Sequence, residues 1–115
     1  MQLPEVVRNR AEQLLFGFCV LRAPENARDQ YRLEFRVRGT TVTLYECYAP
    51  VHPGQHKWSR VPSAQFRYDP GGHLWSLYWA DRNCKWHVYE DVDPSPDLVK
   101  LLVEVNADPT GIFFG

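Results

Sequence analysis

No run of apolar residues in this chain approaches the roughly 20 that a membrane helix needs. Met1-Gln2-Leu3-Pro4-Glu5 also lacks the basic start and apolar stretch of a secretory leader, so neither membrane spanning nor secretion is expected. Cysteine is scarce and odd in number: Cys19, Cys47 and Cys84 make no paired spacing, which suits a reducing cytoplasm better than a disulfide framework. Excess charge of either sign is missing too. With 13 Lys/Arg against 14 Asp/Glu the net charge is -1, so bulk attraction to nucleic acid or to an anionic membrane is not a compositional expectation. There is no glycine-rich phosphate loop, because Gly71-Gly72 falls in a hairpin turn rather than between a strand and a helix. Metal-ligand spacing is equally poor. His52 and His56 have Pro53 and Gly54 between them, which excludes a helix presenting both imidazoles, and Cys84 with His87 is one loose pair where a structural zinc site takes about four ligands. No metal and no cofactor are expected.

What the 115 residues do have is apolar and aromatic material, 44% hydrophobic and 14% aromatic, enough for one core and one domain spanning 1–115. Charge is uneven along the chain. Residues 1–27 are neutral, residues 28–85 carry nine Lys/Arg against five Asp/Glu, and residues 86–115 carry Lys100 against six acids. Such an asymmetry fits a basic working face beside an acidic terminal element, or surfaces that merely drew different signs.

Val7, Ala11, Leu14 and Phe18 recur at helical spacing, with Leu3, Val6 and Leu15 alongside. With Pro4 in the first turn and Gly17 at the end, they predict a helix over Pro4 to Phe16. From Tyr31 the period becomes two: Tyr31, Leu33, Phe35 and Val37 alternate with Arg32, Glu34, Arg36 and Arg38, a strand wet on one side. Gly39-Thr40 then fits a type II′ turn, since Gly accepts a positive φ. That turn pairs Arg38 with Thr41, Val37 with Val42, Phe35 with Leu44, Leu33 with Glu46 and Tyr31 with Tyr48. It also puts one carboxylate, Glu46, among apolar residues.

Residues 49–62, with three prolines and no period, read as a loop. Three short strands in a meander follow, carrying Ala64, Phe66 and Tyr68, then Trp75, Leu77 and Trp79, then Trp86 and Val88. A loop centred on Arg82-Asn83 would pair Trp79 with Trp86 and Leu77 with Val88. Ser95 as N-cap and Pro96 open a second helix whose buried stripe is Leu98, Leu101, Leu102 and Val105. The apolar end Ile112-Phe113-Phe114 is expected to dock on the core. The fold expected is α+β: an antiparallel sheet of about five strands, hairpin plus three-stranded meander, with an N-terminal and a C-terminal helix packed on one face. Two helices cover one side only, so the other stays open and gathers Arg32, Arg36, Arg38, Tyr45, Arg67, Tyr78, His87 and Tyr89.

The far half of the chain carries distinctive runs: Phe66-Arg67-Tyr68, Trp75-Ser76-Leu77-Tyr78-Trp79, Asp81-Arg82-Asn83, Lys85-Trp86-His87-Val88-Tyr89 and Asp108-Pro109-Thr110-Gly111-Ile112-Phe113-Phe114-Gly115. They resemble a small bacterial family known as domain of unknown function 3024. The resemblance extends upstream through Arg28-Asp29-Gln30, the Val42 to Glu46 strand and Pro50. It implies a bacterial, cytoplasmic, single-domain protein and brings no activity and no catalytic residues. Members of that family typically have Gly where this chain has Cys84, and Trp where it has Phe114.

Three uses of the residues compete. The first is a non-enzymatic binding or protein-interaction module using the open face, with Arg36, Arg67, Tyr78, His87 and Tyr89 as anchors and a protein partner or a homodimer favoured over nucleic acid. Single-stranded nucleic acid on the same face is the alternative, because rings stack bases and guanidinium groups hold phosphates. The third is a small enzyme with a pocket uniting Glu46, Arg67 and His87. Glu46 decides part of this: near a sheet edge it reaches water or takes a salt bridge from Arg60, whereas buried with a partner it marks a pocket. Cys47 and His87 could meet as nucleophile and base on the open face, although a free cysteine usually acts as a small hydrophobe.

Overall fold

The computed structural model describes all of residues 1–115. Its elements in chain order are α1 (Glu5–Arg22), a 3₁₀ turn (Glu25–Ala27), β1 (Tyr31–Arg38), β2 (Thr41–Tyr48), β3 (Ser59–Asp69), β4 (Leu74–Ala80), β5 (Trp86–Val88) and α2 (Leu98–Ala107). The five strands form one antiparallel sheet in the order β1-β2-β3-β4-β5. α1 lies against β1 and α2 against β4, and the helices touch each other. The core between helices and sheet includes Leu15, Val42, Leu44, Phe66, Leu77, Leu101 and Val105, all fully buried. The expected α+β architecture with both helices on one face is present.

α1 runs six residues past the expected end. Gly17 lies inside it with open space where a Cβ would stand. A helical glycine costs about 1 kcal/mol, and burying Cys19 with half-buried Phe18 beyond it gives back on the order of 2 kcal/mol. The helix stops where Pro24 forces Ala23 into an extended conformation, φ -87 and ψ 119. Its buried stripe is Ala11, Leu15 and Cys19. Val6, expected on that stripe, is exposed.

The first hairpin pairs in the expected register, from Arg38 with Thr41 to Tyr31 with Tyr48. Gly39 sits at φ +60 and Thr40 does not share a positive φ, as a II′ turn requires. β3, in contrast, begins at Ser59, so four residues of the expected loop are strand. Pro62 hid this. Its missing N–H is tolerated because the register with β2 shifts between Leu44 and Tyr45, and a bulge is one of the places where a strand accepts proline. Ser63 is the extra residue, and its hydroxyl donates to the Phe113 carbonyl at 3.0 Å.

The second hairpin departs from expectation by one residue. Asp81 N–H donates to the Lys85 carbonyl at 2.9 Å, which leaves a three-residue loop ending in Cys84 at φ +61, the position a G1 bulge usually gives to glycine. Tyr78 therefore faces Val88, Trp79 faces His87 and Ala80 faces Trp86. A one-residue slip turns every side chain of the strand over. Trp86 goes to the open side and His87 and Tyr89 to the helix side, reversing the expectation for all three. Trp79 stacks on His87 at 4.6 Å rather than on Trp86.

α2 also starts later than expected. Ser95 bridges to Trp75 through two backbone hydrogen bonds of 2.8 and 2.9 Å, and Asp97 is the N-cap, its carboxylate accepting the Val99 N–H at 3.0 Å. The buried stripe Leu98, Leu101, Leu102 and Val105 is as expected. At the other end Asp108, in the left-handed region, accepts the N–H groups of Phe113 and Phe114 at 3.0 and 2.9 Å. This folds the tail back so that Phe113 is buried.

Candidate functional site

Opposed residues share a face, so the registers place Arg32, Arg36 and Arg38 of β1 on the uncovered side with Thr41, Thr43, Tyr45 and Cys47 of β2. Arg60, Gln65 and Arg67 of β3 join them, followed by Ser76 and Tyr78 of β4 and Trp86 of β5. Five arginines project from this face against two acids, Glu34 of β1 and Asp69 at the end of β3, whose carboxylate accepts the Gly71 N–H at 3.0 Å. Glu34 is already engaged. Arg32 donates to it at 3.1 Å, and the Cys47 thiol beside it, then Arg32, hold its carboxyl below the usual range.

The rings on this side are mostly occupied. The Arg67 guanidinium lies 3.8 Å from the Tyr78 ring centre, Arg32 lies 4.1 Å from that of Trp58, and Arg60 lies 5.4 Å from that of Tyr45. Arg67 is fixed further by its donation to the Gln65 side-chain oxygen at 2.7 Å, while the Gln65 amide donates to the Thr43 hydroxyl at 3.0 Å. Arg36 and Arg38, both exposed, take part in no side-chain hydrogen bond or ion pair. Both line a hollow of about 760 Å³ with Thr43, Gln65, Arg67 and Trp86.

Of the residues picked out from sequence, the structure brings Arg36 and Arg67 to this hollow and sets Tyr78 beneath Arg67. The other three lie elsewhere. His87 is on the helix side, its Nε2 2.8 Å from an Asp81 carboxylate oxygen. Tyr89 is buried, its ring 5.0 Å from Phe113 and its hydroxyl donating to Glu104 at 2.6 Å. Burial, then that carboxylate, push the Tyr89 phenol up to about 12. Glu46 also faces the helix side, where it accepts hydrogen bonds from the Tyr31 and Tyr48 hydroxyls at 2.8 and 3.1 Å. It is half-buried with partners, yet it marks no pocket, and Arg60, its expected ion-pair partner, points to the opposite side.

The pocket uniting Glu46, Arg67 and His87 is therefore not formed. Arg67 is on one face and the other two are on the opposite face, three strands or roughly 14 Å apart. Cys47 and His87 are separated by the sheet as well. Cys47 is fully buried, and burial followed by the neighbouring Glu34 carboxylate pushes its thiol up to about 12, far from the thiolate a nucleophile needs. His52 and His56 stand exposed in the 49–58 loop.

Sequence reasoning missed Trp86 as a site residue because its face depends on the turn at Cys84. The deciding feature is the positive φ at Cys84, which a cysteine in the sequence does not announce.

A family model described as Domain of unknown function (DUF3024) matches residues 3–115. No curated protein and no solved structure matches this chain. No helix is long and apolar enough to cross a membrane.

Proposed function

The chain belongs to the DUF3024 family, a membership that assigns no activity, and from its own surface we propose a non-enzymatic binding module whose uncovered sheet face holds an anionic partner. The observation that carries this reading is the pair Arg36 and Arg38. Both are exposed, neither has an acidic partner, and both border the same hollow as Arg67. A chain of net charge -1 with five arginines against two engaged carboxylates, Glu34 and Asp69, on a single face concentrates positive potential where no element of its own covers it. Arg67, held by Tyr78 and Gln65, is a preorganised fork for a carboxylate or phosphate.

Amide chemical-shift mapping with inorganic polyphosphate tests the reading. Shifts are expected in β1, β2 and β3 and at the Trp86 indole, and they weaken as salt rises. Arg36→Ala combined with Arg38→Ala should abolish them with the fold unchanged. Shifts spread evenly over the surface, or none at low ionic strength, would overturn the proposal.

A further inference from the structure

Resting on that reading, we infer that the anionic partner is single-stranded nucleic acid, with phosphates on Arg36, Arg38 and Arg67 and a base stacked on Trp86. Three rings of this face already carry a guanidinium from the chain itself, but Trp86 stacks on no other ring and carries no cation. It stands half-buried in the wall of the arginine-lined hollow. A flat apolar ring across one hollow from two unpaired guanidinium groups fits a ligand that alternates flat rings with negative charges. That is the pattern of a nucleic-acid strand whose bases are free to leave their stack.

The hollow argues against an acidic peptide. Such a peptide would use the same arginines, but its carboxylates bring no flat ring for Trp86, which lines the hollow with Arg36, Arg38, Thr43 and Gln65. Geometry along the strand agrees. Arg36 and Arg38 are two residues apart on one face, roughly 7 Å, on the scale of successive phosphates in an extended strand. From β1 to β5 is four strand spacings, roughly 19 Å, room for a ligand at the short end of the about 4 to 16 nucleotides that single-strand grooves cover. A duplex hides its bases and offers Trp86 nothing to stack on. Thr41, also in the lining, has a hydroxyl to offer a ribose hydroxyl, so oligo-U and oligo-dT separate RNA from DNA.

The test is fluorescence anisotropy with labelled oligo-U and oligo-dT of about 10 nucleotides, an abasic strand of the same length, and a poly-glutamate peptide. The intact chain should bind the base-bearing strands more tightly than the abasic one, with a log–log salt slope of about -2 for three neutralised phosphates. Trp86→Ala should weaken the base-bearing strands roughly 5- to 150-fold and leave the abasic strand unchanged, and Trp86→Phe should restore most of the loss. Should the alanine variant not fold, Trp86→Leu keeps apolar bulk without a stacking ring and answers the same question. Equal affinity for abasic and base-bearing strands, indifference to Trp86 substitution, or tighter binding of poly-glutamate would overturn the nucleic-acid assignment. The binding-face reading survives those outcomes if polyphosphate still maps to the arginines, and it falls only if no polyanion binds there.

Discussion

The two faces of the sheet treat their polar groups in opposite ways. On the helix-covered side the carboxylates nearest the core are answered: Glu46 by Tyr31 and Tyr48, and Glu104 by Tyr89. These contacts repay the desolvation of groups that cannot reach water freely. On the bare side the positive charge exceeds its partners, and Arg36 and Arg38 are left without any. Polar residues that complete one another hold a structure together, whereas polar residues left over are where a ligand can gain most. The covered face therefore governs stability and the bare face governs binding.

The largest effect that could break this contrast is Phe66→Ala. Phe66 is fully buried under the helices, so its truncation should cost about 3–5 kcal/mol in denaturant unfolding. A smaller loss would mean that the core does not depend on the covered side. Next comes Tyr89→Phe, expected to cost about 1 kcal/mol by removing the bond to Glu104. It also has a pH signature. Because the folded phenol is raised from 10.0 to about 12, its contribution is complete below pH 10.0 and is lost as pH rises through about 12. A phenolate titration of the intact chain should show a late step near 12 that disappears in Tyr89→Phe. Cys84→Gly should stabilise by about 0.5–1 kcal/mol, since φ +61 penalises a side chain by more than glycine loses in freedom; a destabilised variant would show that the thiol has a role of its own. The smallest effect sharpens the contrast. Arg36→Ala with Arg38→Ala should move stability by no more than about 0.5 kcal/mol, and a larger drop would make these arginines structural.

How far the fold could be read from sequence differed between the two hairpins. The first was legible to the residue because Gly39 announces its positive φ and eight alternating residues follow on either side. The second has the same kind of turn requirement, but a cysteine occupies the strained position, and nothing in its side chain advertises a left-handed backbone. One hidden torsion reversed Trp86, His87 and Tyr89, and with them two of the five expected anchors. Pro62 misled in the same manner, because a proline in a strand reads as a break until its neighbours reveal a bulge. Gly17 and Ser95 showed the limit of local signals, where burial of Cys19 and pairing with Trp75 prevailed over capping preferences. Arg36 and Arg67 were legible as site residues because they lie on strands whose period was clear. The partners of Glu46 were within reach too, since the first hairpin's register already set Tyr31 and Tyr48 beside it.

Ser63 is the one unmatched link in β3. Excising it would keep Pro62 opposite Tyr45 and Ala64 opposite Leu44, at the cost of placing Pro62 in a regular ladder and leaving the Phe113 carbonyl without its donor. The slab would then lose the extra twist that a bulge brings, and the trough on its bare side would grow shallower while keeping all the residues that line it. Chain length at one position thus tunes the depth of the trough separately from its chemistry.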